Sequence, residues 1–141
     1  MPYKFFEDIA VADVAFEATG KTVVEMFQSA GQAVTRTMVK DLVSVKQKES
    51  RKIEVKSEKV DMLLFNFLQE LLFYKDSEGL LFSKFLIKID GRMTGLACTA
   101  YGEKIDAKRH EMLVDVKAVT MHQFEVEKTA DGWRCQVILD I

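Results

Sequence analysis

The closing segment, Trp133–Ile141, constrains this chain more than any other stretch. Trp133, Cys135, Val137, Leu139 and Ile141 share one face; Arg134, Gln136, Ile138 and Asp140 share the other. Such alternation marks a half-buried strand. Chain termini usually fray, so an apolar-rich strand that runs to the last residue implies an end docked into a sheet. Docking would fix a terminal carboxylate beside the Asp140 side chain. Paired acids of this kind are hard-oxygen donors suited to Ca2+, or to Mg2+ or Mn2+. Asp13, on an early strand, can supply a third donor. From spacing alone the plainer alternative, three solvated surface acids, remains the commoner outcome.

The rest of the chain alternates between strand and helix signals. Tyr3 to Phe6 is short and aromatic, and Asp13 to Ala18 alternates, with Gly20 ending that strand. Thr22 and Glu25 form a capping box, and Val23, Phe27, Ala30, Val34 and Met38 recur at helical spacing, which predicts a helix over about 22 to 40. Arg51 to Lys56 alternates as a strand with one wet face. Ser57 is a candidate cap for a second helix, with Glu58 and Asp61 in its first turn and Gly79 after its end. Leu80 to Ile89 and Arg92 to Tyr101 read as strands joined at Asp90-Gly91, with Phe82 on the same side as Lys84, Leu86 and Lys88. Gly102 to His110 is predicted as a loop. Asp115 to Thr120, Gln123 to Thr129 and Trp133 to Ile141 follow as strands, the last two joined by Ala130-Asp131-Gly132. This order predicts an α+β fold, with two long helices packed on mixed or antiparallel sheet, in a single domain over residues 1–141.

Composition excludes several classes. Lys+Arg number 20 against Asp+Glu 22, a net charge of -2. That balance argues against autonomous nucleic-acid binding through phosphates, though not against a local basic patch. Cys98 and Cys135 lie far apart without a CxxC and read as buried reduced thiols. The start of the chain lacks a basic-then-apolar signal pattern, and no apolar run is long enough to span a membrane, so a cytoplasmic protein is expected. There is no GxGxxG, GxxxxGK[ST], GxSxG or HExxH.

The stretch Gly102 to Phe124 holds both histidines. Glu103, Asp106 and His110 form a possible acid/base set, set against the plainer possibility of a polar loop. Lys104, Lys108 and Arg109 make a small basic cluster. His122 is a ligand, a base or simply a hydrogen-bonded histidine at a strand end, the last being commonest.

Several blocks resemble the archease family along essentially the whole chain. They are Ala12-Asp13-Val14-Ala15-Phe16 with Gly20-Lys21-Thr22, Glu58–Asp61 with Leu68-Gln69-Glu70-Leu71-Leu72, and Gly102-Glu103…Asp106…Lys108…His110. Val116-Lys117-Ala118-Val119-Thr120-Met121-His122 and the terminal Asp140-Ile141 are the most specific. The resemblance implies an accessory protein, not itself a catalyst, that promotes guanylylation and repeated turnover of an RtcB-type tRNA-splicing ligase. It also implies a divalent cation, usually Ca2+, held by Asp13, Asp140 and the main-chain carboxylate of Ile141. Glu103, Asp106, Lys108, Arg109, His110, Lys117 and His122 are then candidates for contact with ligase or nucleotide, and RNA is expected only through the ligase. The sequence departs from the family at Ala10-Val11, where members usually carry His-Thr before Ala-Asp. Two alternatives stand beside this. One is a metal-dependent hydrolase using Asp13 and Asp140, with His110 or His122 as base. The other is an RNA-binding module using Lys104, Lys108 and Arg109.

Overall fold

The computed structural model describes residues 2–6 and 13–141. Residues 10–12, which include the departure from the family pattern, lie outside the described residues. Pairing is antiparallel throughout, in two separate sheets. The first joins β1 (Tyr3–Phe6), β2 (Asp13–Gly20), β8 (Gly132–Asp140), β6 (Ala118–Val119) and β7 (Glu125–Thr129). β8 is its centre: β2 lies along one edge, while β6 and β7 share the other. The second sheet has the order β3 (Glu49–Lys56), β5 (Gly95–Lys104), β4 (Leu80–Ile89).

Helices α1 (Val23–Met38) and α2 (Val60–Glu78) pack against the inner faces of both sheets. Their apolar faces close the core: Phe27 and Val34 of α1 and Phe67 and Leu68 of α2 meet Phe16 and Val137 of the first sheet and Ile53, Phe85 and Ala100 of the second. The expected α+β class is therefore present, with the sheet divided in two around the helices.

Several local differences have physical causes. The Thr22 hydroxyl accepts from the Glu25 N–H at 3.1 Å, as capping predicts, and Glu25 accepts in return from the Lys21 N–H. The helix stops at Met38 because Val39 bridges to Met112 and the Lys40 N–H donates to the Glu111 carbonyl. Ser57 does not cap α2. Its N–H donates to the Thr94 carbonyl, Lys59 takes the cap position without a side-chain bond, and Gly79 closes the helix in the left-handed conformation (φ 67°). Phe82 faces the core, not the lysines, because a bulge between Phe82 and Lys84 reverses the alternation there. The Ser83 hydroxyl at that bulge donates to the Val45 carbonyl at 2.9 Å. The Asp90-Gly91 hairpin has a longer turn than a two-residue one, held by Asp90 accepting from the Thr94 N–H and hydroxyl. β5 begins only at Gly95 and continues to Lys104, so Glu103 belongs to a strand and not to a loop. Gly102 lies so close to the Leu81 carbonyl that a Cβ would stand 1.8 Å from its oxygen.

Candidate metal centre and the Glu103 network

The alternation of β2 and β8 brings two of the proposed ligands together. In the β2–β8 ladder, Asp13 is the register partner of Asp140. Opposed residues in an antiparallel pair share a face, with Cβ atoms about 5 Å apart. Both aspartates are half-buried, as is Ile141 one residue beyond. On the other side of Asp140 stands Ala118 of β6, and the Lys117 N–H donates to the Asp140 carbonyl at 2.8 Å. The end of β8 is thus gripped from both flanks, and Ile141 is carried with it.

The donor set expected from the sequence, the Asp13 and Asp140 side chains with the Ile141 main-chain carboxylate, would be all oxygen. That chemistry fits Ca2+ or Mg2+. Among the described residues no three His, Cys, Asp or Glu side chains gather to hold a metal, so a complete site here depends on the Ile141 carboxylate. Nearby, the Thr120 hydroxyl is buried without a hydrogen-bond partner among the described residues, and the Thr120 N–H donates to the Ile138 carbonyl.

β6 is shorter than the predicted Asp115–Thr120 strand because a lysine of α2 holds the preceding residues. Lys75 is buried, and its Nζ donates to the Asp115 carboxylate at 2.8 Å and to the Val116 carbonyl at 2.7 Å. Burial alone would lower the Lys75 ammonium; Asp115 and Asp76 outweigh it and raise it. Val116 is fully buried between this bond and the strand that meets Asp140. Lys75 went unnoticed in the sequence, yet it sits at helical spacing from Leu68, Leu71 and Leu72 on the buried face of α2. Lys75→Met should cost about 1–3 kcal/mol by leaving the Val116 carbonyl unpaired. Amide hydrogen exchange at Lys117 and Ala118 should rise more than exchange within β8, which checks the effect.

The Gly102–His110 motif forms a different structure. Glu103 is buried, with 4% of its surface exposed, and His110 with 2%. The Glu103 carboxylate accepts from Arg109 Nη2 at 2.5 Å, from the Lys46 N–H at 2.7 Å and from His110 Nε2 at 2.9 Å. The Asp106 N–H donates to His110 Nδ1 at 2.9 Å. A donor at Nδ1 places the ring proton on Nε2, where it points at Glu103. Both ring nitrogens are therefore engaged inside the fold. Arg109 holds the Glu103 carboxyl down to about 2, helped by the Lys46 N–H and His110 and opposed by burial.

The hydrolase alternative finds no support in this arrangement, since His110 is buried and committed to Glu103 and Asp106. His122 is exposed in the turn before Phe124. No hydrogen bond or ion pair between described residues joins the Glu103 network to Asp13 or Asp140. Of the other candidates, Lys108, Lys117 and His122 are exposed, Arg109 is exposed but paired with Glu103 and Asp106, and Asp106 is half-buried.

A second ion network was not foreseen. Arg134 pairs with Glu17, with Glu125 at 2.7 Å and with Glu127 at 3.0 Å, and Lys4 joins Glu17 at 3.2 Å. Burial would raise the Glu17 carboxyl, but Arg134 and Lys4 outweigh it and lower it. The two thiols are inert: burial pushes both Cys98 and Cys135 up to about 12.

Fold and site define a small α+β protein of two antiparallel sheets, with an opposed pair of aspartates at the end of its central strand. Residues 3–141 match the model of the Archease protein family, and the chain belongs to that family. It is 40% identical to a protein archease of Pyrococcus abyssi over 133 residues, covering 92% of this chain and 93% of the relative. It is likewise 40% identical to a protein archease of Methanothermobacter thermautotrophicus, over 99% of this chain and 98% of the relative. The solution structure of Methanobacterium thermoautotrophicum protein 1598 is similar with a TM-score of 0.84 and 39% identity, covering 99% of each chain. No helix among the described residues is long and apolar enough to cross a membrane.

Proposed function

We propose that this protein is a cytoplasmic, cation-binding accessory factor that promotes guanylylation and repeated turnover of an RtcB-type tRNA-splicing ligase. It performs no chemistry of its own in this role. The observation that carries the reading is the Asp13–Asp140 register pair, with Ile141 next in the chain. Asp13 and Asp140 would hold the ion, Ca2+ by preference, together with the Ile141 carboxylate. The ion supplies positive charge where like-charged oxygens would otherwise repel. Lys117 and Ala118 brace this end of β8 against movement.

Two further features suit a docking partner. Met112, Leu113 and Val114 form an exposed apolar run between the Glu103 network and Lys117, with 37%, 47% and 39% of their surfaces open. Neighbouring exposed apolar side chains are the usual mark of a protein contact. The net charge of -2 complements a basic, RNA-handling enzyme. Ligase guanylylation and ligation turnover, measured with and without the protein, test the proposal. Asp13→Ala, Asp140→Ala and one residue added after Ile141 should each abolish stimulation. Full stimulation by all three would remove the tip from the mechanism.

A further inference from the structure

The outward face of the second sheet has a charge opposite to that of the first. Register sets its rows as Ser50–Tyr101–Lys84, Lys52–Thr99–Leu86 and Glu54–Ala97–Lys88, with Lys56–Gly95 at one end. The central strand β5 gives this face a floor of Gly95, Ala97 and Thr99, while lysines rise from both flanking strands. Two adjoining hollows follow the floor, and Glu54, Lys88 and Ala97 line both. Lys52, Lys56, Lys84 and Lys88 are exposed. Among the described residues none of them pairs with a carboxylate, whereas Lys4, Lys40, Lys48 and Lys75 all do. Among the described residues two acids meet these lysines: Glu54 on the face itself, and Asp90 of the β4–β5 turn, which lines one hollow with its carboxylate beside Gly95. Among the described residues of the first sheet, by contrast, Asp13, Glu17, Glu125, Glu127 and Asp140 share the outward face with Lys4 and Arg134. A net charge near zero thus conceals a segregation of charge between the two sheets.

We propose that the outward face of the second sheet is a groove for single-stranded RNA, contacted by this chain itself. Lys52 and Lys56 are four residues apart on one strand, about 13 Å, as are Lys84 and Lys88. The two lysine rows stand about 10 Å apart, across two strand spacings. One nucleic-acid strand fits between them, its phosphates near the lysines and its bases over the small side chains of β5. Tyr101 lies at one end of the floor, with Lys84 Nζ 5.8 Å from its ring centroid. A basic groove with an aromatic platform is how single strands are held without sequence readout. An acidic polypeptide would also meet the lysines, but would use neither the bare floor nor the tyrosine. The inference does not depend on the ligase reading, since no ligase takes part.

Anisotropy of a labelled short oligouridylate, titrated with the full chain in the absence of divalent cation, is the test. Four phosphate contacts should weaken binding roughly 50-fold between about 50 and about 200 mM salt. Replacing Lys52, Lys56, Lys84 and Lys88 together by Gln should remove that salt dependence and lower affinity at least about tenfold at low salt. Circular dichroism verifies that this variant stays folded. Tyr101→Ala should weaken binding about tenfold and leave the salt slope unchanged. Lys104→Gln with Lys108→Gln should bind as the unmodified chain does. The proposal is overturned if the RNA does not bind at low salt, or if the four-Gln variant binds as well as the unmodified chain. Loss confined to the Lys104/Lys108 pair would overturn it in favour of the loop. Polyglutamate displacing the RNA at equal charge concentration would overturn it in favour of an acidic protein surface.

Discussion

Glu103→Ala should lower the melting temperature by about 10 °C, corresponding to about 3 kcal/mol for breaking a buried charge network in a domain of this size. Three donors converge on this carboxylate: the Arg109 guanidinium, the Lys46 N–H and His110 Nε2. Removing it strands the His110 ring proton inside the protein, since that side chain is fully buried and both of its ring nitrogens are engaged in this network. Lys46 belongs to the segment between α1 and β3, and Arg109 to the segment after β5. The loss should therefore loosen both connections together. Glu103→Gln keeps the shape and an acceptor oxygen, so its cost should fall between those of alanine and the parent residue.

Acid should act on the same group. The Glu103 carboxyl sits at about 2 in the folded protein against 4.5 for an unperturbed glutamate. A folded value below the unfolded one means that its contribution is complete above pH about 4.5 and fades as pH falls toward 2. Urea midpoints measured from pH about 5 down to about 2 should drop more steeply for the parent chain than for Glu103→Gln. Parallel slopes would show that the carboxylate is not the group that acid attacks.

What the sequence made legible follows one rule. Features set by alternation along a strand were visible, and features set by a distant partner were not. Asp13 and Asp140 could be picked out because each lies on an alternating strand, and an apolar strand carried to the last residue must dock. Which residue opposes which was not legible, because register depends on where β2 and β8 meet. The Glu103 motif was visible as a cluster, but its burial was not: the Lys46 N–H that completes it is fifty-seven positions away in the chain. Ser57 carries a good cap side chain, yet the Thr94 carbonyl claims its N–H. Lys75 could have been caught, since a lysine on the buried stripe of a helix needs a counter-charge, and Asp115 supplies it. The bulge after Phe82 has no signal in its own residues; it follows from fitting β4 against β5 while satisfying the Val45 carbonyl.

Calcium should raise the melting temperature of the unmodified chain by about 10 °C when present at about one hundred times its dissociation constant, since ligand binding to the folded state alone then adds about 2.7 kcal/mol. The Asp13–Asp140 pair makes this more than a generic expectation. Like charges directly opposed across two strands are destabilising, by up to about 1 kcal/mol, and Asp13 and Asp140 occupy such positions. Asp13→Asn should therefore do two things at once. With chelator present it should melt at or slightly above the parent temperature, because the repulsion is gone. With calcium present it should lose most of the rise, because a charged donor is gone. One residue added after Ile141 should also lose the rise but gain nothing in chelator, since it moves the main-chain carboxylate and leaves both aspartates in place. A structural role for Asp13, such as a hydrogen bond within β2, would instead lower stability under both conditions. A full calcium response in Asp13→Asn would remove that aspartate from the site.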